Sequence, residues 1–160
     1  MYKILKKNLT FKKFITLSII SNNQVSKQIK ELIKLNELEI KVYEKVSNLK
    51  TRFMGDCDIV FSVGYLKKIE SEIIKNYEII NLHPSLLPKY KGLMTHKRML
   101  INNEIKYGYS IHKVTKYLDD GEILSQNKQS ISTSSENELS TNHKRLEHQE
   151  VFKDLVNFLN

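Results

Sequence analysis

A chain of 160 residues with 40% hydrophobic content can enclose one ordinary core, whereas two independent cores would each be small, so one domain over residues 1–160 is expected. The net charge of +8 would suit an anionic partner, but the lysines are spread along the chain and no basic run is interleaved with aromatic residues, which leaves nucleic acid without a recognisable face. Cys57 is the single cysteine, which excludes an internal disulfide and makes a reducing cytoplasm the default setting, and no stretch reaches the roughly 18 apolar residues of a membrane span.

Residues 1–13 are basic. Residues 14–20 form a short β-branched run closed by Ser21-Asn22-Asn23, read as a buried strand and a turn or helix cap. Val25, Ile29, Leu32 and Ile33 recur at helical spacing and predict an amphipathic helix to about residue 35. Strands follow over residues 39–43 and 58–63, the second nearly continuously apolar, as strands covered on both faces are. Cys57, just before it, reads as a buried structural thiol. A helix over residues 66–75 and a strand over 78–82 come next. Residues 95–102 predict a helix, 108–115 and 122–130 alternate like a pair of strands around Asp119-Asp120-Gly121, and 132–140 read as a polar loop. A last helix over 147–159 places Val151, Leu155, Val156 and Leu159 on one face. Strands alternating with helices imply an α/β fold with an open, mostly parallel twisted sheet, helices on both faces, a C-terminal β-hairpin and a final helix.

In such sheets ligands bind beyond the carboxyl ends of the strands. There the chain carries Asn81-Leu82-His83-Pro84-Ser85-Leu86-Leu87-Pro88, in which its two prolines fix backbone torsions over a short span and favour a rigid ledge. Asn81 can donate two amide hydrogens, His83 can donate or accept near neutral pH, and a carboxylate such as Asp119 would raise and orient the imidazole. That inventory suits an oxyanion-stabilising site and equally describes a turn with a satisfied histidine. The histidines and Cys57 never fall at metal-ligand spacing.

The longer string decides between these readings. Asn81 through Leu93, Thr95-His96, Gly108, Ile111-His112-Lys113-Val114-Thr115 and Leu118-Asp119-Asp120-Gly121-Glu122-Ile123-Leu124 closely resemble the folate-dependent formyltransferases, with a weaker likeness over residues 58–69, at Ser21-Asn22 and around Glu147-His148. The nearest branch is the one that formylates 5'-phosphoribosylglycinamide in purine biosynthesis. The resemblance implies a Rossmann-like fold, 10-formyltetrahydrofolate as co-substrate, small-molecule acceptors and no metal. It makes Asn81, His83 and Asp119 the catalytic set, with Asn81 and a protonated His83 stabilising the oxyanion and Asp119 keeping His83 protonated. Asp120 becomes a solvated neighbour. Leu66, Lys67, Lys68 and Ile69, with Asn81, correspond to the folate-binding positions, where backbone groups hold the pterin; Lys67 and Lys68 read equally as the exposed first turn of a helix. His96 and His112 become pocket wall, Thr95 a helix cap and His148 structural.

The chain also departs from the family. The family opens with a strand and a Gly-Ser-Asn-like loop at a helix N-terminus, where backbone N–H groups cradle the acceptor phosphate; here the first glycine is Gly55, so the basic segment 1–13 stands in for that strand and loop. Met94 occupies a position where relatives often carry histidine. A missing interior strand would expose a sheet edge for which a homodimer is one cover. Two further readings follow from these departures: a formyltransferase acting on another amine such as an amino sugar nucleotide, and a non-catalytic remnant that binds folate or a partner. Formylation of methionyl-tRNA is less expected, since no further carboxyl-terminal domain follows the last helix.

Overall fold

The computed structural model describes residues 16–20, 39–43 and 59–159. Strands β1 (Thr16–Ile20), β2 (Glu39–Tyr43), β3 (Ile59–Val63), β4 (Glu78–His83), β5 (Lys106–Lys113) and β6 (Ile123–Ser130) form one sheet in the order β2-β1-β3-β4-β5-β6. The first four run parallel, and β5 and β6 are added antiparallel as a hairpin. The apolar run of β3 is explained by cover on both faces. Ile59 and Phe61, with Ile80 and Leu82 of β4, pack against Met99 of helix α2 (Thr95–Ile101) and Leu139, Leu146, Val151 and Leu155 of helix α3 (Glu136–Leu159). Val60 and Ile79 point the other way, onto Ile69 and onto Ile73 of helix α1 (Ser71–Asn76).

Three expectations change. β1 lies inside the sheet with β2 and β3 on either side, so among the described residues the outer strands are β2 and β6, and no edge is open beside β1. The helix expected from residue 66 begins at Ser71: after β3 the chain turns at Gly64 (φ 64°), and Glu70 is still extended, its carbonyl accepting the N–H groups of Ile73 and Ile74 at 3.0 and 3.1 Å to start the first turn. Lys67 and Lys68 therefore stand in an exposed non-helical segment. The third change is at residues 132–140, where the polar loop gives way to α3 at Glu136. Ser135-x-x-Glu138 has the order of a capping box with Thr133 inserted in it: Ser135 Oγ accepts the Glu138 N–H at 3.4 Å, Thr133 Oγ1 accepts the Ser135 N–H at 3.0 Å, and the Thr133 hydroxyl donates to Glu138 Oε2 at 2.6 Å. The buried face of the added turns is only Leu139, His143 and Leu146, too thin an apolar stripe for periodicity to register. Residues 1–13, the turn at 21–23, the helix over 25–35 and Cys57 lie outside the described residues.

Two glycines are demanded by close backbone approach. A Cβ on Gly108, in β5, would fall on the Asn127 carbonyl of β6 and 2.9 Å from Leu86 Cδ2; a Cβ on Gly121 would fall on the Lys113 carbonyl. Neither neighbour is the end of a flexible side chain, so backbone must move. Gly108→Ala and Gly121→Ala should each lower the urea midpoint, by about the 1–3 kcal/mol typical of overpacking, while Lys97→Ala on the exposed side of α2 leaves it within about 0.5 kcal/mol.

Candidate active site

β3 and β4 end side by side, with Ser62 opposite Asn81 and Val63 opposite Leu82. Because side chains alternate along a strand, Asn81 and His83 share one face, and across the antiparallel pairing they meet His112 and Ser110 of β5. The chain then leaves β4 as the ledge 84–94, which contains a cis Leu87–Pro88 bond. The prolines are the smaller part of what fixes it. The fully buried Ser110 hydroxyl donates to the Ser85 carbonyl at 2.7 Å and accepts from the Leu87 N–H at 3.0 Å and from Gln126 Nε2 at 2.8 Å; Gln126 Nε2 also reaches the Leu87 carbonyl at 2.9 Å. One donor and two acceptors is a hydroxyl's whole capacity. Ser85 Oγ donates to the Lys89 carbonyl at 2.7 Å, and Arg98 holds the far end through the Lys91 carbonyl at 2.7 Å.

The ledge returns two backbone groups to the site. The Tyr90 carbonyl accepts from His83 Nε2–H at 2.9 Å, which selects that tautomer and leaves Nδ1 facing Asp119 Oδ2 at 3.4 Å. The Gly92 N–H donates to the same Asp119 oxygen at 2.8 Å. Asp119 sits in the β5–β6 connection at φ 47°, a left-handed conformation that aspartate tolerates better than most residues. Its other oxygen is 3.5 Å from His112 Nε2, which accepts from Asn81 Nδ2 at 3.2 Å, while His112 Nδ1–H donates to the Lys113 carbonyl at 2.9 Å. Asn81, His83, His112 and Asp119 are thus one connected cluster, and His112, expected as pocket wall, is a full member of it.

Burial and hydrogen bonding act against each other at both groups. Burial would raise the Asp119 carboxyl, but His112, the Gly92 N–H and the charge of His83 outweigh it and hold Asp119 below the usual carboxylate range. For His83 burial wins, lowering the imidazole against the Tyr90 hydrogen bond and the Asp119 charge, which both raise it. Asp119 thus favours the protonated His83 that the sequence reading expects, while burial opposes it and is the larger effect. Such a pair takes up one proton at Nδ1 and stabilises the result as an ion pair.

The remaining predicted positions divide. Leu66, Lys67 and Lys68 are exposed in the segment leaving β3, beside the end of β4, whereas Ile69 is buried in the core. Asp120 is exposed and pairs with Lys91, away from His83. Leu93 and Met94 are exposed, and His148 lies on the exposed side of α3. His96 does not join the cluster; its Nε2 meets His143 Nδ1 at 2.6 Å. His143 was not singled out from the sequence, because it falls between the loop expected at 132–140 and the helix expected from 147.

Comparison with known proteins bears on the family and the fold. The family pattern described as Formyl transferase matches residues 19–157. Phosphoribosylglycinamide formyltransferase of Escherichia coli K12 is 35% identical over 94 residues, 57% of this chain and 44% of that enzyme. Methionyl-tRNA formyltransferase of Fusobacterium nucleatum is 32% identical over 115 residues, 65% of this chain and 35% of that enzyme, so the match spans less than half of either relative. Among solved structures, a sugar N-formyltransferase from Shewanella sp. FDAARGOS_354 superposes with a TM-score of 0.77 at 21% identity, over 91% of this chain and 70% of that one, which speaks for the fold. With the family pattern extending from β1 almost to the end of α3, the chain belongs to the formyl transferase family.

Proposed function

We propose that the chain transfers a formyl group from 10-formyltetrahydrofolate to the amine of 5'-phosphoribosylglycinamide. The observation that carries this reading is Asp119, anchored by the Gly92 N–H at 2.8 Å and facing His83 Nδ1 at 3.4 Å on the strand end that bears Asn81. The acceptor nitrogen attacks the formyl carbon, the carbonyl π pair moves to oxygen, and the resulting tetrahedral oxyanion is met by Asn81 Nδ2–H. The proton shed by the attacking amine goes to His83 Nδ1, where Asp119 stabilises the imidazolium; collapse of the intermediate breaks the bond to the folate N10, which takes up a proton as it leaves. The exposed segment bearing Leu66, Lys67 and Lys68 lies beside this strand end and offers its backbone to the pterin.

A second reading keeps the donor and changes the acceptor to an amino sugar nucleotide. It rests on the sequence of the acceptor side, where no glycine precedes Gly55 and no Gly-Ser-Asn string is spelled out.

An assay with 10-formyltetrahydrofolate against 5'-phosphoribosylglycinamide and a panel of amino sugar nucleotides separates the two readings. Turnover of the ribonucleotide alone is the expected result, turnover of a sugar nucleotide alone establishes the second, and folate binding without any turnover defeats both. Asn81→Ala should lower kcat about 10²–10³-fold, the usual consequence of losing one oxyanion donor, with the urea midpoint nearly unchanged. The pH profile carries a further expectation. A base that must be neutral loses activity as pH falls through its pKa, so kcat/KM should decline only below the ordinary histidine range. Asp119→Asn removes a charge that raises His83, and should lower kcat and move this acid limb to still lower pH; a limb moved upward would refute the assigned pairing.

A further inference from the structure

Apart from the Asn81–His83–His112–Asp119 cluster, a group of titratable side chains joins α2 to α3 around the buried His143. His143 and Glu147 lie one turn apart on α3, and His96 comes from α2. His96 Nε2 and His143 Nδ1 are 2.6 Å apart with the rings perpendicular, so one nitrogen donates and the other accepts. His143 is 1% exposed, and its Nε2 has no hydrogen-bond partner as placed; Glu147 Oε1 stands 3.6 Å away, within reach of a small adjustment. The edge of Tyr107, on the α3 side of the sheet, closes the space at 5.5 Å.

A neutral imidazole carries one N–H, so the two neighbours of His143 cannot be satisfied independently. If Nδ1 holds the hydrogen it donates to His96 Nε2, and the Nε2 lone pair needs a protonated Glu147 carboxyl. If Nε2 holds the hydrogen it donates to a Glu147 carboxylate, and Nδ1 must accept from His96 Nε2–H. We propose that His143 is a tautomeric switch that ties the ionisation of Glu147 to the hydrogen-bonding state of His96. The protons balance. The acid form holds them on Glu147, His143 Nδ1 and His96 Nδ1, and the basic form on His143 Nε2 and His96 Nε2. One proton leaves for solvent from His96 Nδ1 while the other two shift one place along the chain, so the outward nitrogen of the half-buried His96 changes from donor to acceptor. His96 lies three residues beyond Leu93 and four beyond Gly92, on the segment that continues the ledge, so the change occurs next to the ledge in the chain without depending on which acceptor the site serves.

The surroundings favour movement of a proton over accumulation of charge. Burial, then the charges of His96 and His83, push His143 down to about 3, so its ring passes protons on without becoming cationic. Burial pushes Glu147 up to about 7 against the opposing charge of Lys144, which sets the exchange near neutrality. Glu136 raises His96 and Lys144 lowers it, but burial is the larger effect and keeps that ring neutral too. The other titratable groups facing the unit are Tyr107, whose hydroxyl is held by Gln129, and Arg145 acting on that tyrosine.

Histidine 15N and glutamate 13C NMR of the full chain, titrated from about pH 5.5 to 8.5, tests this. In the wild type the Nδ1 and Nε2 resonances of His143 should exchange character at the same midpoint as the Glu147 carboxyl, with His96 changing in step. In Glu147→Ala, His143 should keep one tautomer throughout. A wild-type titration in which the three do not change together overturns the proposal by itself, and so does a tautomer exchange that persists in Glu147→Ala.

Discussion

The hydroxyl of Ser110 is where the sheet takes hold of the site. It is fully buried, and its one hydrogen and two lone pairs are all used, on Ser85, Leu87 and Gln126, so β5 and β6 grip a loop that leaves β4. Removing any partner would strand a buried polar group at a cost of about 1–3 kcal/mol, which is why such networks hold a single geometry. From that grip the rest follows: the ledge is fixed, its Tyr90 carbonyl sets the tautomer of His83, and its Gly92 N–H sets one oxygen of Asp119.

The site is also held in backbone conformations that few residues choose. Tyr90 (φ 58°), Met94 (φ 58°) and Asp119 (φ 47°) are all left-handed without being glycine. Each costs on the order of 1–2 kcal/mol and survives only where surrounding contacts over-determine it. Those contacts are on hand: Arg98 stacks over the Tyr90 ring at 5.3 Å, Glu104 accepts from the Tyr90 hydroxyl at 2.9 Å, and Gly121 allows the chain after Asp119 to press against the Lys113 carbonyl. Stability elsewhere thus supports a carboxylate aimed at an imidazole.

Electrostatics adds the chemistry. His83 and Asp119 are both largely buried, yet burial prevails in lowering the imidazole and is outweighed at the carboxyl, which gains the Gly92 N–H and the neighbouring histidines. A proton taken up at His83 Nδ1 completes an ion pair with Asp119. That state suits an acyl transfer in which an amine must lose its proton as it attacks.

Much of this was written in local sequence. The alternation and apolar runs that mark β1 to β6 need only neighbours one or two residues away, and the strand limits at residues 39–43 coincide with the observed ones. The His83-Pro84 ledge and the Asp119-x-Gly121 loop carry their meaning in residue order, since proline and glycine act on the backbone wherever they stand. Other features were not legible. The start of α3 depends on the hydrogen bonds among Thr133, Ser135 and Glu138 and on three buried residues in a polar stretch, and α1 is shortened because the chain must first turn at Gly64. The membership of His112, the grip of Ser110 and Gln126, and the meeting of His96 with His143 all join residues 16 to 47 positions apart. Sequence alone determined which groups could do chemistry and which elements carry them. Only the tertiary structure decided their partners and protonation, because burial and hydrogen bonding are properties of the space between elements.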